Sequence, residues 1–319
     1  MRSKRLWITV SLICVILGTA LLTAGRMMGG RAGFYIDNNG IHTSGSTKAP
    51  NPEPARGART LDAFNRIDVD IDYADVEVAV SDKFAIEYCI MGTYGDPVCE
   101  VRNGTLTFKE AETLQIYNVG FFDGNFGIMT GEPRYYVRIE IPEDTALRQA
   151  TFDIESGNLD IAALHADKLN IQNEYGDVCL DQFTGEKLDI LMESGDLICD
   201  SMSAVHASIE NEYGNIQISE ADGNRLTMQM DSCDCKIDRA DFVNIEMSDS
   251  YGDVRLGLPG DIKTYGFDLS AEYGEIRVGN KNRGRGDDWD EVTYSADGNG
   301  RNSVTVSCES GNIDVKSVK

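Results

Sequence analysis

The sequence is poor in basic residues and in histidine. Of its 319 residues, 29 are Lys or Arg, 53 are Asp or Glu and three are His, which gives a formal net charge of −24. Nucleic-acid binding depends on cationic side chains that displace phosphate counterions, so this balance excludes nucleic acid as an expected partner. The same charge disfavours direct docking on anionic lipid headgroups.

Familiar catalytic motifs are also missing. The sequence has no His-Glu-x-x-His motif, no nucleophile elbow and no phosphate-binding loop. Carboxylate pairs are plentiful, but they recur with a repeat described below, so their number is no evidence of an acid/base pair. The sequence therefore predicts a protein that is not an enzyme and has no catalytic residues and no organic cofactor.

Long apolar runs are limited to one, at residues 6–25, which holds no charged side chain and is long enough to cross a bilayer. Three basic residues in the segment 1–5 orient this end toward the cytoplasm. A cleaved signal peptide is the alternative, although the run exceeds a usual signal core. We predict a cytoplasmic tail at 1–5 and a transmembrane signal anchor at 6–25. A flexible Gly-, Ser- and Pro-rich tether follows at 26–60, in a single-pass cell-membrane protein with an extracytoplasmic C-terminal domain.

What the chain has in abundance is a seven-residue phrase with a period of nineteen residues. Its copies begin at Asp72, Glu155, Glu174, Glu193, Glu212, Asp231, Ser250, Glu272 and Glu309. Such a period is typical of stacked coils, and the alternation of apolar residues around each turn indicates two short strands. We predict an all-β fold: a right-handed parallel β-solenoid of about 19-residue coils over 61–319. Its predicted interruptions are an antiparallel hairpin insertion at about 81–148 and a loop insertion at about 280–303.

The centre of the phrase is a glycine followed by Asp or Asn. Glycine bends the chain sharply at positive φ, and the short polar side chain bonds the local backbone, so both residues are predicted to shape the turn. The predicted turn glycines are Gly157, Gly176, Gly195, Gly214, Gly252, Gly274 and Gly311. Ala74 and Cys233 stand in the glycine position of two other copies.

The residue before the glycine alternates between Tyr and Ser, so the repeating unit is two coils. Strands in neighbouring coils lie about 4.8 Å apart, which places tyrosines two coils apart at almost 10 Å, too far to stack on each other. Two interpretations remain. Each Tyr fills the space beside a neighbouring Ser, or the tyrosines form a ladder on which a carbohydrate stacks.

The acidic residues of the phrase form two predicted columns. Carboxylates about 4.8 Å apart repel by roughly 0.9 kcal/mol even in water, so backbone donors, intervening Asn residues or bound cations must offset the repulsion. Calcium prefers oxygen ligands of this kind, which makes Glu174, Asp177, Glu193 and Asp196 weak candidates for a Ca²⁺ site. The alternative is a solvated acidic face.

Eight cysteines need an explanation in an exported chain. Cys89 and Cys99 flank a short loop and are candidates for a disulfide across two strands. Cys199 and Cys235 occupy positions that other coils fill with Leu, Ile or Val, which indicates buried free thiols.

The glycine phrases, the strand Arg138-Ile-Glu-Ile-Pro142 and the closing phrase from Glu309 resemble the DUF4097 family. This is a group of proposed adhesins with β-strand repeats, common in Gram-positive bacteria. The resemblance covers about residues 64–319. It implies a β-solenoid exported to the cell envelope, sometimes linked to envelope stress, without enzyme activity. The membrane anchor, Cys233 and the insertion at 280–303 depart from the family pattern.

We therefore predict a non-enzymatic, membrane-anchored extracytoplasmic protein that is adhesin-like or structural. Its expected partner is a cell-wall polymer or another envelope protein. Two alternatives are an accessory subunit of an envelope-stress sensing system and, less in keeping with the scarcity of basic residues, an enzyme that acts on polysaccharides.

Overall fold

The structure is a computed structural model that describes residues 54–91, 96–111, 134–285 and 291–319, three strands outside these ranges and four residues of the segment 15–21. The chain divides into two compact units. In the smaller unit, β1 pairs in antiparallel fashion with both β2 and β9. All other strands belong to the larger unit.

Twenty-two strands are present in chain order. The first eleven are β1 (Gly33–Asp37), β2 (Gly40–His42), β3 (Ala55–Thr60), β4 (Arg66–Tyr73), β5 (Asp75–Ser81), β6 (Ala85–Ile90), β7 (Val98–Arg102), β8 (Thr105–Lys109), β9 (Tyr117–Gly120), β10 (Tyr136–Pro142) and β11 (Ala146–Ser156). The others are β12 (Leu159–Ile161), β13 (Leu164–Tyr175), β14 (Val178–Ser194), β15 (Leu197–Tyr251), β16 (Val254–Pro259), β17 (Tyr265–Tyr273), β18 (Glu275–Val278), β19 (Lys281–Arg285), β20 (Val292–Ala296), β21 (Asn302–Ser310) and β22 (Ile313–Val318). A single 3₁₀ turn, Ile262–Thr264, precedes β17.

Parallel ladders join successive coils with the predicted offset. Ala150 pairs with Leu169, Leu169 with Leu188, and Leu188 with Ala207, each nineteen residues further along. The upstream copy joins the same ladder, because Ile67 pairs with Ala150. All five side chains are buried. Alternating apolar residues therefore build one continuous core through the stacked coils, and the predicted all-β class is confirmed.

The order of the coils in space differs from their order in the sequence at the C-terminal end. β21 pairs in parallel with β15 on one side and with β17 on the other. β22 likewise lies between β16 and β18. The last coil of the chain is therefore inserted into the stack, and the coil formed by β17 and β18 is the outer one.

Antiparallel strands cover both ends of the parallel stack. At one end β8 and β10 extend the parallel ladders, and β7, β6 and then β3 pair with them in antiparallel fashion. At the other end β20 and β19 pair with β17 and β18. Charged residues on these outer strands, such as Arg59 and Arg283, discourage edge-to-edge pairing with other chains.

Three predictions about the ends and insertions need correction. Strands β1, β2 and β3 lie within residues 26–60, so this segment is not wholly the flexible tether that its composition indicates. The region 81–148 contains the predicted hairpin, with Asn103 and Gly104 both at positive φ, but β8 and β10 also extend the parallel ladders. The predicted loop at 280–303 contains β19 and β20, whose backbone groups pair with the outer coil.

The cysteine predictions divide. Cys89 on β6 and Cys99 on β7 are free thiols on strands that do not pair with each other, so the predicted disulfide is wrong. Cys199 and Cys235 are buried in the core as predicted.

The predicted membrane span at 6–25 lies outside the described residues, apart from four helical positions. In the part of the chain that the structure describes, no helix is long and apolar enough to cross a membrane.

Candidate functional site

The turns of successive coils line up along one border of the larger unit, which we call the turn edge. It consists of the Glu/Asp–Tyr/Ser–Gly–Asp/Asn turns of the repeat. At each predicted turn glycine, an added Cβ would overlap a backbone carbonyl of the adjacent coil, as Gly195 illustrates with the carbonyl of Gly176. Positive φ is found at Gly176, Gly195 and Gly214 but not at Gly252. Close approach of the backbones is thus the requirement that the turn glycines share.

The Asp or Asn after each glycine connects one coil to the next. Asp177 Oδ1 accepts a hydrogen bond from the backbone N–H of Asp196 at 2.9 Å, and Asp196 Oδ1 accepts one from the N–H of Asn215 at 2.8 Å. The bonded backbone is therefore that of the next coil and not the local one. The same bond joins Asp75 to Asn158, Asn158 to Asp177, Asp234 to Asp253, Asp253 to Asn312 and Asn312 to Glu275.

A second acidic column runs beside this ladder and includes Glu155, Glu174 and Glu193. Partial burial raises the pKa of Glu155, and the carboxylates of Asp72 and Glu174 raise it further, as expected for like charges on neighbouring coils. Among the described residues, no group of three or more His, Cys, Asp or Glu side chains is placed to hold a metal ion. Binding of Ca²⁺ by Glu174, Asp177, Glu193 and Asp196 stays a prediction.

Tyrosine and serine alternate along the whole turn edge in the order of the stacked coils. Ser156 pairs with Tyr73 on one side and Tyr175 on the other, and Ser310 pairs with Tyr251 and Tyr273. Ser194 lies between Tyr175 and Tyr213. The five tyrosines are about half exposed: Tyr73 46%, Tyr175 58%, Tyr213 54%, Tyr251 60% and Tyr273 52%. We call them the tyrosine column.

Exposure decides between the two interpretations of this alternation. If each tyrosine served only to fill space over a serine, its ring would be largely covered. About half of each side chain instead faces solvent, next to serines that occupy little volume. The spacing of two strands is about 9.6 Å, so each ring offers a separate apolar surface to a ligand. The tyrosine column is therefore a repeated contact surface as well as a packing element.

Buried amides fix the turns that carry the tyrosines. Asn173 Nδ2 donates to the carbonyl of Gly157 at 3.0 Å, and Asn211 Nδ2 donates to the carbonyl of Gly195 at 3.2 Å. Both side chains are almost fully buried. The coils with serine carry apolar residues at this position, among them Met192. Each tyrosine turn is thus bonded to the serine turn before it.

One tyrosine turn departs from this arrangement. Asp249 replaces the buried asparagine, and Cys233 replaces the glycine whose carbonyl would accept the bond. Burial raises the pKa of Asp249 to about 6, with a further contribution from Asp231 and Asp234. Cys233 is fully buried, and its thiol donates to the carbonyl of Asn211 at 3.1 Å. This turn is held differently at acidic and at neutral pH.

Sequence reasoning missed a cluster of arginines at the C-terminal end of the turn edge. Arg255, Arg277 and Arg285 lie far apart in the sequence and line one pocket together with Tyr273. They meet because the last coil is inserted between the coils that carry Arg255 and Arg277. The unbroken Tyr/Ser alternation was the available signal, because only a serine coil fits beside the coil of Tyr251.

The chain was compared with known proteins. No curated protein matches it. Among solved structures, a proposed adhesin from Parabacteroides distasonis is 13% identical, with a TM-score of 0.46, over 84% of this chain and 98% of the other. A proposed lipid-binding protein from Parabacteroides distasonis is 18% identical, with a TM-score of 0.37, over 84% and 98%. A proposed cell adhesion protein from Clostridium sporogenes is 11% identical, with a TM-score of 0.23, over 83% and 100%.

These likenesses are too distant to carry an argument about function. A family model, in contrast, matches residues 64–316, which include all the stacked coils and both sets of covering strands except β3. The chain therefore belongs to the Toastrack DUF4097 family.

Proposed function

We propose that this protein is a non-enzymatic, adhesin-like binding protein of the cell envelope, anchored by residues 6–25 with the stacked coils outside the membrane. The tyrosine column binds an extended cell-wall glycan. The observation that carries this proposal is the exposure of five tyrosines at every second coil of one straight edge. A periodic polymer suits a periodic surface, because each added disaccharide unit repeats the same contact.

The chemistry of the turn edge favours a sugar polymer without dense negative charge. The glutamate column and the aspartate ladder run beside the tyrosines, and the chain carries a net charge of −24, so a dense polyanion would be repelled. Tyrosine offers an apolar ring and a hydroxyl group, which together suit a sugar ring with its hydroxyls. Neighbouring carboxylates and the serine hydroxyls supply hydrogen-bonding partners for such a ligand.

The proposal is tested by sedimenting the purified full-length chain with insoluble cell-wall peptidoglycan, and in parallel with membrane vesicles prepared without cell wall. We expect the chain to sediment with the wall and to be released by soluble glycan fragments. Equal recovery with and without wall material would contradict the proposal. Recovery only with membranes that contain a second protein would favour the envelope-stress alternative.

A further inference from the structure

A pocket of about 610 Å³ lies at the C-terminal end of the turn edge, on the outer face of the last stacked coils. Arg255, Arg277 and Arg285 line it, together with Tyr273, Glu275 and Asp314. This volume falls within the range of small-molecule sites, and the lining combines an aromatic ring with groups that donate and groups that accept hydrogen bonds. Its cationic side chains stand out on a chain with a net charge of −24.

The register of the strands places the charges in alternation. Asp314 on β22 is the direct partner of Arg255 on β16 and of Arg277 on β18. Arg285 on β19 is the partner of Glu275 in the neighbouring column. The pocket is therefore a lattice of guanidinium and carboxylate groups and not a patch of one sign.

The guanidinium groups remain available to a ligand. Arg285 is 74% exposed and lies 3.8 Å from Glu275, and Arg255 and Arg277 are half exposed with partners at 2.7 and 2.6 Å. Exposed ion pairs of this kind contribute only about 0–1 kcal/mol, so a ligand carboxylate can replace or share a partner at little cost. The planar fork of arginine also matches a carboxylate through two parallel hydrogen bonds.

Asp314 shows what else the ligand must offer. Its Oδ2 lies 2.6 Å from the ammonium group of Lys316, whereas its Oδ1 is buried and has no hydrogen-bond partner among the described residues. A buried acceptor of this kind is costly unless a donor reaches it. A ligand that fits the pocket therefore brings a hydroxyl donor as well as an anionic group.

We propose that this pocket binds a hexuronic acid residue of an acidic glycan. The sugar carboxylate is held by Arg277 and Arg285, a hydroxyl donates to Asp314 Oδ1, and the ring lies against Tyr273. The pocket is a site separate from the extended surface of the proposed function and shares only Tyr273 with it. A short ligand is therefore enough to occupy it.

The test is titration calorimetry of the full-length chain with trigalacturonic acid, which is too short to follow the tyrosine column. Cellotriose supplies the uncharged comparison, and glycerol 3-phosphate supplies an anion without a sugar ring. The variants are R277Q combined with R285Q, and separately Tyr273→Ser, because serine is the residue of the adjacent coils. Arg225→Gln is the control, since Arg225 is exposed and pairs with Glu246 at 3.6 Å outside the pocket.

We expect trigalacturonic acid to bind at least about tenfold more tightly than either comparison ligand. The R277Q/R285Q and Tyr273→Ser proteins should each lose about tenfold or more in affinity, and Arg225→Gln should bind like the wild type. Equal affinity for cellotriose or glycerol 3-phosphate, or unchanged binding by both pocket variants, would overturn the assignment. Because peptidoglycan sedimentation tests the tyrosine column separately, failure of one site is distinguishable from failure of the other.

Discussion

Ser310 is the parallel-register partner of Tyr251, although the five strands from β16 to β20 lie between them in the sequence. Ser310 also pairs with Tyr273 on its other side. One small residue thus separates two exposed rings and preserves the alternation along the turn edge. The inserted coil consequently connects the fold to the candidate binding surface, since without it two tyrosine coils would meet directly.

The inserted coil predicts an unusual sensitivity at the C-terminus. Deleting residues 303–319 removes β22 and nearly all of β21, which leaves the outer coil without its neighbour and exposes the edges of β15 and β16. We expect the deletion to abolish cooperative unfolding of the C-terminal coils, as followed by hydrogen exchange of their backbone amides. A truncated protein that keeps wild-type protection in β17 and β18 would contradict the observed coil order.

Asp249 predicts a dependence of stability on pH. Its folded-state pKa of about 6 is above the ordinary value for Asp, so its neutral form stabilises the fold at low pH. This contribution is fully present below about pH 4 and is lost as the pH rises through about 6. Asp249→Asn should therefore raise stability by about 1–3 kcal/mol at pH 7.5, because asparagine can donate to the carbonyl of Cys233 without carrying a charge.

Thermal unfolding at pH 4 and pH 7.5 tests this prediction. Asp234→Asn is the matched control, since it removes the same charge from an exposed position and keeps the acceptor for the backbone N–H of Asp253. We expect the Asp249→Asn gain to be present at pH 7.5 and small at pH 4. A gain of the same size at both values would show that titration of Asp249 is not the cause.

The ladder after the glycines predicts a difference between two substitutions at Asp196. Asp196→Asn keeps the oxygen that accepts from the backbone of Asn215 and removes one charge from the column, so stability should stay the same or rise slightly at low salt. Asp196→Ala removes the acceptor and should cost about 0.5–1.5 kcal/mol in the free energy of unfolding. Denaturant titrations of both variants measure the difference, and equal losses would assign the effect to charge alone.

Calcium binding by the acidic columns is checked in the same protein. If Glu174, Asp177, Glu193 and Asp196 hold Ca²⁺, millimolar Ca²⁺ should raise the melting temperature relative to chelator, by mass action on the folded state. The double variant Glu174→Gln/Glu193→Gln should lose this response. Identical melting curves with Ca²⁺ and with chelator would leave a solvated acidic face as the explanation of the columns.

The period of nineteen residues was enough to predict the all-β class, the parallel coils and the upstream copy at Asp72. These features are local, because each coil repeats the same alternation of buried residues and the same turn. The order of the last two coils was not predicted, since the repeat gives every coil equivalent ladder positions. Only the Tyr/Ser alternation distinguishes them, and it requires a serine coil beside Tyr251.

Composition was less informative about the segments outside the repeat. Residues 26–60 read as a tether because they are rich in Gly, Ser and Pro, yet Ala55–Thr60 finds backbone partners in β6. β19 and β20 were likewise read as a polar loop. Strands at the edge of a stack need few apolar residues, because backbone pairing and not burial holds them. The arginine pocket follows from the coil order and was missed with it.

The central claim, that the tyrosine column binds a cell-wall glycan, is tested most directly by replacing Tyr175, Tyr213 and Tyr251 together with serine. Serine already occupies the adjacent coils, so the turns should keep their shape. Val205→Ser is the control, because Val205 is 46% exposed away from the turn edge.

The measurement is the fraction of full-length protein that sediments with peptidoglycan, with the melting temperature recorded for each variant. We predict that the triple variant loses about tenfold or more in affinity while folding normally, and that Val205→Ser binds like the wild type. A folded triple variant that sediments as well as the wild type would contradict the account.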